Sequence, residues 1–187
     1  MGEKRSPEWY EAEHRKMNFD IFNRGIHLKR AEFLSDLIAG NNPTSILEIA
    51  AGGSILAQQV LQKLPDVKYC FNDFSLIARD HAKERMKFKN VSFIGFDIDK
   101  FYEAVIWEDY DLIICVSLEH LEHDKEILQE IPKGKKVFLS ISNIDAPDHI
   151  RVLKTNEEIM ERYGSILNIR KITDCTKIFK IVEAWTI

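Results

Sequence analysis

At 187 residues and 21.8 kDa the chain is long enough for one domain with a single core and too short for two of full size, which excludes most multidomain enzymes. With 45% hydrophobic and 30% charged residues, 8 Gly and 5 Pro, it falls in the globular range and outside the disordered, collagen-like and disulfide-scaffold ranges. Its 26 Lys and Arg against 30 Asp and Glu give a net charge of -4, so no large positive field exists to draw in nucleic acid, and no apolar run approaches the ~20 residues of a membrane span.

The N-terminus, Met1-Gly2-Glu3-Lys4-Arg5, leads into no apolar signal segment, and the expected compartment is the cytoplasm. From Pro7 to Ile38, Met17, Ile21, Phe22, Ile26, Phe33, Leu34, Leu37 and Ile38 recur mostly at three- and four-residue steps, which predicts two amphipathic helices broken near Gly25. Gly40-Asn41-Asn42-Pro43-Thr44 is expected to end the second by a C-terminal glycine and a proline. Short apolar runs then alternate with helical ones. Strands are predicted at Ser45–Ile49, Val67–Phe71, Val91–Phe96, Asp111–Val116 and Lys136–Ser142, with helices from Ile55 to the stop at Pro65, over Leu76–Met86, and from Glu122 towards Pro132. The βαβα rhythm and near-continuous apolar strands predict a parallel sheet covered on both faces, hence an α/β fold. After a helix near Glu157–Tyr163, the extended runs Asn168–Thr173 and Lys177–Thr186 are joined by too few residues for a parallel crossover, and an antiparallel hairpin is expected. Cys70, Cys115 and Cys175 lie far apart without CxxC spacing and read as reduced thiols.

In such a sheet the loop after the first strand faces the ligand crevice. Here it is Glu48-Ile49-Ala50-Ala51-Gly52-Gly53-Ser54, where the glycines allow positive φ and close backbone approach and Ser54 is placed to cap the next helix. Asp73 ends the second strand about 20 residues later, the spacing at which an acid meets ribose hydroxyls, although it or Ser75 would also serve as a helix cap. Asp97 follows the third strand, suited to a purine edge or to capping a turn.

From Ser45 to the C-terminus these residues, in this order, resemble the class I S-adenosylmethionine-dependent methyltransferases. Glu48 and Gly52 match the family's first-strand acid and glycine loop, with Ala50 and Ser54 where the outer glycines of G-x-G-x-G would stand. Asp73 in Asp-Phe-Ser, Asp97 after the third strand, and the fourth-strand segment Tyr110 to His123 also resemble the family. The resemblance implies a doubly wound, mostly parallel seven-stranded sheet with a terminal antiparallel hairpin, in one methyltransferase domain over 1–187. Residues 1–42 would form helices covering the pocket and 43–187 the cofactor-binding core. It implies S-adenosyl-L-methionine as cofactor, with Asp73 on the ribose, Asp97 and Ile98 at the adenine, Glu48 and the Gly52 loop at the methionine part, and Ala50, Phe74 and Val116 also at the cofactor. The N-terminal aromatics Trp9, Tyr10, Phe19 and Phe22, with His14, read either as a lid or as core beneath a surface helix.

Methyl transfer from a sulfonium is an in-line displacement, so the protein aligns the nucleophile, excludes water and takes a proton from a hydroxyl or amine. His123 and His149 are the candidate bases, with His120 a third histidine at the same edge and Arg151 a possible anion contact. Glu119-His120-Leu121-Glu122-His123 also fits the Glu-x-x-Glu-His metal cluster of the small-RNA terminal 2′-O-methyltransferases, with His149 as the later ligand; an i, i+4 pair on a solvated helix start is the plainer reading. Metal-free chemistry on a small-molecule O- or N-nucleophile is the expectation, with neither membrane nor nucleic acid as partner. The rivals are a cofactor-binding domain without activity and a nicotinamide dehydrogenase, the latter disfavoured by the missing G-x-G-x-x-G and the terminal antiparallel strand. No motif sets the oligomeric state.

Overall fold

The computed structural model describes residues 4–17 and 25–187; Phe19, Ile21 and Phe22 lie outside them. Its strands are β1 (Ser45–Ile49), β2 (Lys68–Asn72), β3 (Val91–Ile94), β4 (Leu112–Cys115), β5 (Lys136–Ser142), β6 (Leu167–Asp174) and β7 (Phe179–Thr186). The helices are α1 (Pro7–Lys16), α2 (Gly25–Asn41), α3 (Ile55–Lys63), α4 (Leu76–Arg85), α5 (Ile98–Phe101), α6 (Asp124–Glu130) and α7 (Asn156–Tyr163). The strands form one seven-stranded sheet in the order β3-β2-β1-β4-β5-β7-β6. β1 pairs in parallel with β2 and β4, and β7 runs antiparallel to both β5 and β6.

The period of two along each strand divides the core between the sheet's faces. Ile46, Leu112 and Ile114 pack with Leu34, Ile38, Val60 and Leu61 from α2 and α3. Leu47, Ile49, Ile113 and Cys115 point the other way, against Ile127, Leu128, Ile159 and Tyr163 of α6 and α7. Both faces of β1 and β4 are therefore buried, which is why β4 reads as an unbroken apolar run and β1 as one interrupted by Glu48. No described helix is long and apolar enough to cross a membrane.

Two local expectations are corrected and one helix is added. The α2 stop is not Gly40: the helix continues to Asn41, and Asn42 takes the left-handed position at φ 46°, a role Asn fills after glycine itself. β3 ends at Ile94 rather than Phe96, because the chain turns at Gly95, where a Cβ would lie 1.9 Å from the Arg79 guanidinium. The four-residue α5 that follows is too short to show a helical period, and it is started by Asp97, whose carboxylate accepts from Asp99 N at 3.1 Å.

Candidate active site

The C-terminal ends of β1, β2 and β4 open onto a cavity of about 670 Å³, within the range of small-molecule sites. Glu48, Ala50, Gly52, Asp73, Phe74, Asp97, Ile98 and Val116 all line it.

The loop after β1 holds glycine-like backbone at non-glycine residues. Gly52 has φ 57°, but Ala50 at φ 52° and Ser54 at φ 61° also occupy the left-handed region. Such a conformation costs an L-residue about 1–2 kcal/mol, so the loop keeps the path that outer glycines would give it, at the expense of strain. Ser54 does not cap α3 as expected; at its φ the hydroxyl faces away from the free amides and accepts from Gln58 Nε2 at 3.1 Å. Ala50→Gly is expected to stabilise the protein by about 0.5–1 kcal/mol, the relief being partly offset by glycine's freedom in the unfolded chain. A thermal melt reads this directly: the midpoint should rise, and a fall would show the backbone there to be unstrained.

Asp73 fastens this loop to the next. Its Oδ2 accepts from Gly52 N at 2.7 Å and its Oδ1 from Ser75 N at 2.9 Å. Burial pushes the carboxyl pKa up, while these two amides hold it down. Ser75 does cap α4, accepting from Ala78 N at 3.2 Å.

Glu48 is fully buried at the cavity wall. Tyr69 donates its hydroxyl to Oε2 at 2.7 Å, whereas Oε1 has no partner among the described residues. Desolvation pushes the Glu48 pKa up to about 8, with the Tyr69 hydrogen bond and Arg30 acting in the opposite direction. A raised carboxyl pKa means the folded chain holds a proton that the unfolded chain, at its ordinary 4.5, gives up. Stability should therefore fall as pH rises from about 4.5 to about 8. Denaturant unfolding across that window should show the decline in the parent and a flatter profile in Glu48→Gln; identical profiles would contradict it.

Arg30, from α2, escapes sequence reasoning because it sits in a helix of ordinary amphipathic pattern. It lines the cavity, lies 4.3 Å from the Phe179 ring centroid, and donates to Val116 O at 3.4 Å. It is electrostatically coupled to both Glu48 and Glu119.

Helix α1 borders the cavity, which its residues Trp9, Tyr10 and His14 line. Ser6 and Pro7 start it, with Trp9 N donating to Ser6 Oγ at 3.3 Å. Glu11 accepts from Leu76 N at 2.6 Å, His14 Nδ1 is 2.8 Å from Ser75 Oγ, and the Tyr10 and Phe74 rings meet edge to face at 5.8 Å. Lys4 pairs with Asp99 at 3.0 Å and Glu122 at 2.8 Å.

The expected histidines separate. His149 and His120 line the cavity, with rings 4.9 Å apart, and His149 Nε2 lies 3.9 Å from Glu119 Oε1. His123 is not among the lining residues. Asp99 accepts from the backbone amides of Glu122 and His123, both at 2.8 Å, and the His123 ring packs on Tyr102. Glu119 and His123 do not share a helix either: Leu118–His120 is a single 3-10 turn and α6 starts at Asp124, so the i, i+4 pair does not form. The five-residue Glu-x-x-Glu-His set is likewise split, since Glu122 lies outside the cavity on Lys4. Arg151 is no anion contact: it donates to the carbonyls of Leu118 at 2.6 Å and Leu121, and pairs with Asp124 at 3.2 Å.

No protein-family model matches the sequence, and no curated protein does. Solved structures do. The N-methyltransferase NodS from Bradyrhizobium japonicum WM9, in complex with S-adenosyl-l-homocysteine, superposes with a TM-score of 0.72 at 15% identity, over 97% of this chain and 99% of that one. The chain has the fold of the class I S-adenosylmethionine-dependent methyltransferases. Magnesium protoporphyrin IX methyltransferase (ChlM) from Synechocystis PCC 6803, with bound SAM, shares this methyltransferase fold at a TM-score of 0.70 and 13% identity, covering 97% of this chain and 92% of its own. TnmH matches at 0.65 and 13% identity over 84% of this chain, which spans only 55% of TnmH.

Proposed function

We propose that the chain is a methyltransferase that uses S-adenosyl-L-methionine to methylate a small molecule. The observation that carries this reading is the pairing, on the wall of one cavity, of a buried carboxyl group with an unpartnered oxygen, Glu48, and a part-buried guanidinium, Arg30. The Arg30 charge complements the carboxylate of an amino-acid tail, and an ammonium placed against the open oxygen of Glu48 would favour that group's ionised form. A dinucleotide pyrophosphate would instead meet the acid. The glycine-like backbone at Ala50 and Ser54 keeps the loop's path, so the altered residues there do not argue for a lost site.

Bound in this cavity, the cofactor supplies an electrophilic methyl group on a sulfonium. Glu48 would hold the ammonium, Arg30 the carboxylate, Asp73 the ribose hydroxyls through the lone pairs its two amide bonds leave open, and Asp97 with Ile98 the adenine. α1 excludes water. His149 is placed to take the acceptor's proton: its Nδ1 lies 2.9 Å from the Ile144 carbonyl, which only accepts, so the lone pair is on Nε2. His123 has no such access.

Incubating the protein with methyl-labelled S-adenosylmethionine and a deproteinised metabolite extract tests the reading. Label should pass to a low-molecular-mass product. Label in added RNA, or stoichiometric binding without transfer, would overturn it in favour of an RNA enzyme or an inactive binding domain.

A further inference from the structure

Glu119, His120 and His149 each place one nitrogen or carboxylate oxygen within 4.8 Å of the others on the cavity wall. The ring Nδ1 of His149 lies 2.9 Å from the Ile144 carbonyl and that of His120 lies 3.1 Å from the Asp148 carbonyl. A carbonyl only accepts, so His149 Nδ1 carries the hydrogen and its Nε2 keeps a lone pair, whereas His120 Nδ1 also lies 3.3 Å from the Tyr10 hydroxyl, which can donate to it. Glu119 is only 4% exposed, and its Oε2 has no hydrogen-bond partner among the described residues. Glu119 and His149 thus present acceptors with no donor between them on the cavity wall, beside the half-buried His120, and such a set calls for a group bearing several hydrogens or a positive charge.

A metal with bonds of about 2.1 Å holds tetrahedral ligands about 3.4 Å apart, and charge-assisted hydrogen bonds of about 2.8 Å from a tetrahedral ammonium hold their acceptors about 4.6 Å apart; the 3.9 Å between His149 Nε2 and Glu119 Oε1 lies between the two. A hydroxyl has one hydrogen and would leave the other acceptors unpaired. Resting on the methyl-donor reading above, we propose that Glu119, His120 and His149 bind the acceptor as a primary ammonium group, so that nitrogen is the atom methylated.

The ammonium then gives one proton to His149 Nε2, and the resulting imidazolium is supported by its Nδ1–H bond to Ile144. The freed nitrogen lone pair forms the bond to the methyl carbon as the carbon–sulfur bond breaks, its electron pair passing to sulfur. S-adenosylhomocysteine and a methylammonium product result, with total charge unchanged. Glu119 holds the substrate cation throughout.

Calorimetric titration of the S-adenosylhomocysteine-loaded protein with benzylamine against benzyl alcohol, and glucosamine against glucose, tests this assignment. In at least one pair the amine should bind ten-fold or more tightly than its alcohol. Glu119→Gln, which keeps the side chain's shape, should bring the affinity for the amine down to that for its alcohol in a chain that still melts cooperatively. Equal affinities within both pairs, or a preference that survives Glu119→Gln, would overturn the proposal, as would tight zinc binding without amine preference. Failure of S-adenosylhomocysteine to bind the parent would bring down the methyl-donor reading instead; the same amines titrated into the free protein would then still decide the ammonium site.

Discussion

Asp73→Ala is expected to lower affinity for S-adenosylhomocysteine by two orders of magnitude or more in a chain that remains folded. The carboxylate bonds the amides of Gly52 and Ser75, one in each of the loops that follow β1 and β2. Removing it leaves both amides without their acceptor, at about 1–3 kcal/mol for each that stays buried. It also frees a loop already strained at Ala50 and Ser54. Lost ribose contacts add to the effect, since each carboxylate oxygen has a lone pair beyond the one used by its amide. Asp73→Asn keeps the shape and one acceptor oxygen, and should fall between parent and alanine. Unchanged affinity in a folded Asp73→Ala would place the ribose elsewhere.

Asp124→Ala should have the largest effect on stability, about 3–5 kcal/mol. Asp124 is completely buried at the start of α6 and accepts from Arg162 Nε at 2.9 Å and Nη2 at 2.6 Å, from the Tyr163 hydroxyl, and pairs with Arg151 at 3.2 Å. Without it, Arg151 and the Tyr163 hydroxyl lose their buried partner, while Arg162, nearly a third exposed, recovers part of the loss in water. The damage would reach the active site through Arg151, whose other bonds hold the carbonyls of the Leu118–Leu121 segment that carries Glu119 and His120. Denaturant unfolding should show the midpoint drop, and a change below 1 kcal/mol would mean the cluster contributes little beyond its hydrophobic surroundings.

What sequence could show, and what it could not, follows from the range of each signal. The buried strands were legible because two covered faces leave a nearly continuous apolar run, unbroken from Leu112 to Cys115 and interrupted in Ile46 to Ile49 only by Glu48. The antiparallel end was legible because the link between β6 and β7 is too short to cross over. Asp73 was legible because its distance from the glycine loop is fixed by one βαβ unit. Arg30 was not, since its role comes from how α2 packs against the sheet and no local spacing encodes that. The exclusion of His123 was equally hidden: it depends on Asp99, 24 residues away in a helix too short to detect, gripping the amides of Glu122 and His123. A histidine-rich pentapeptide gives the residue types, and only the turn after β4 decides which of them enter the cavity.

The most direct test of the central reading is calorimetric titration of the parent protein with S-adenosylhomocysteine, with NADH as control. One-site binding of S-adenosylhomocysteine and no NADH heat is the expected result; NADH binding, or folded protein that takes up neither ligand, would contradict a methyl-donor site at Glu48, Arg30 and Asp73.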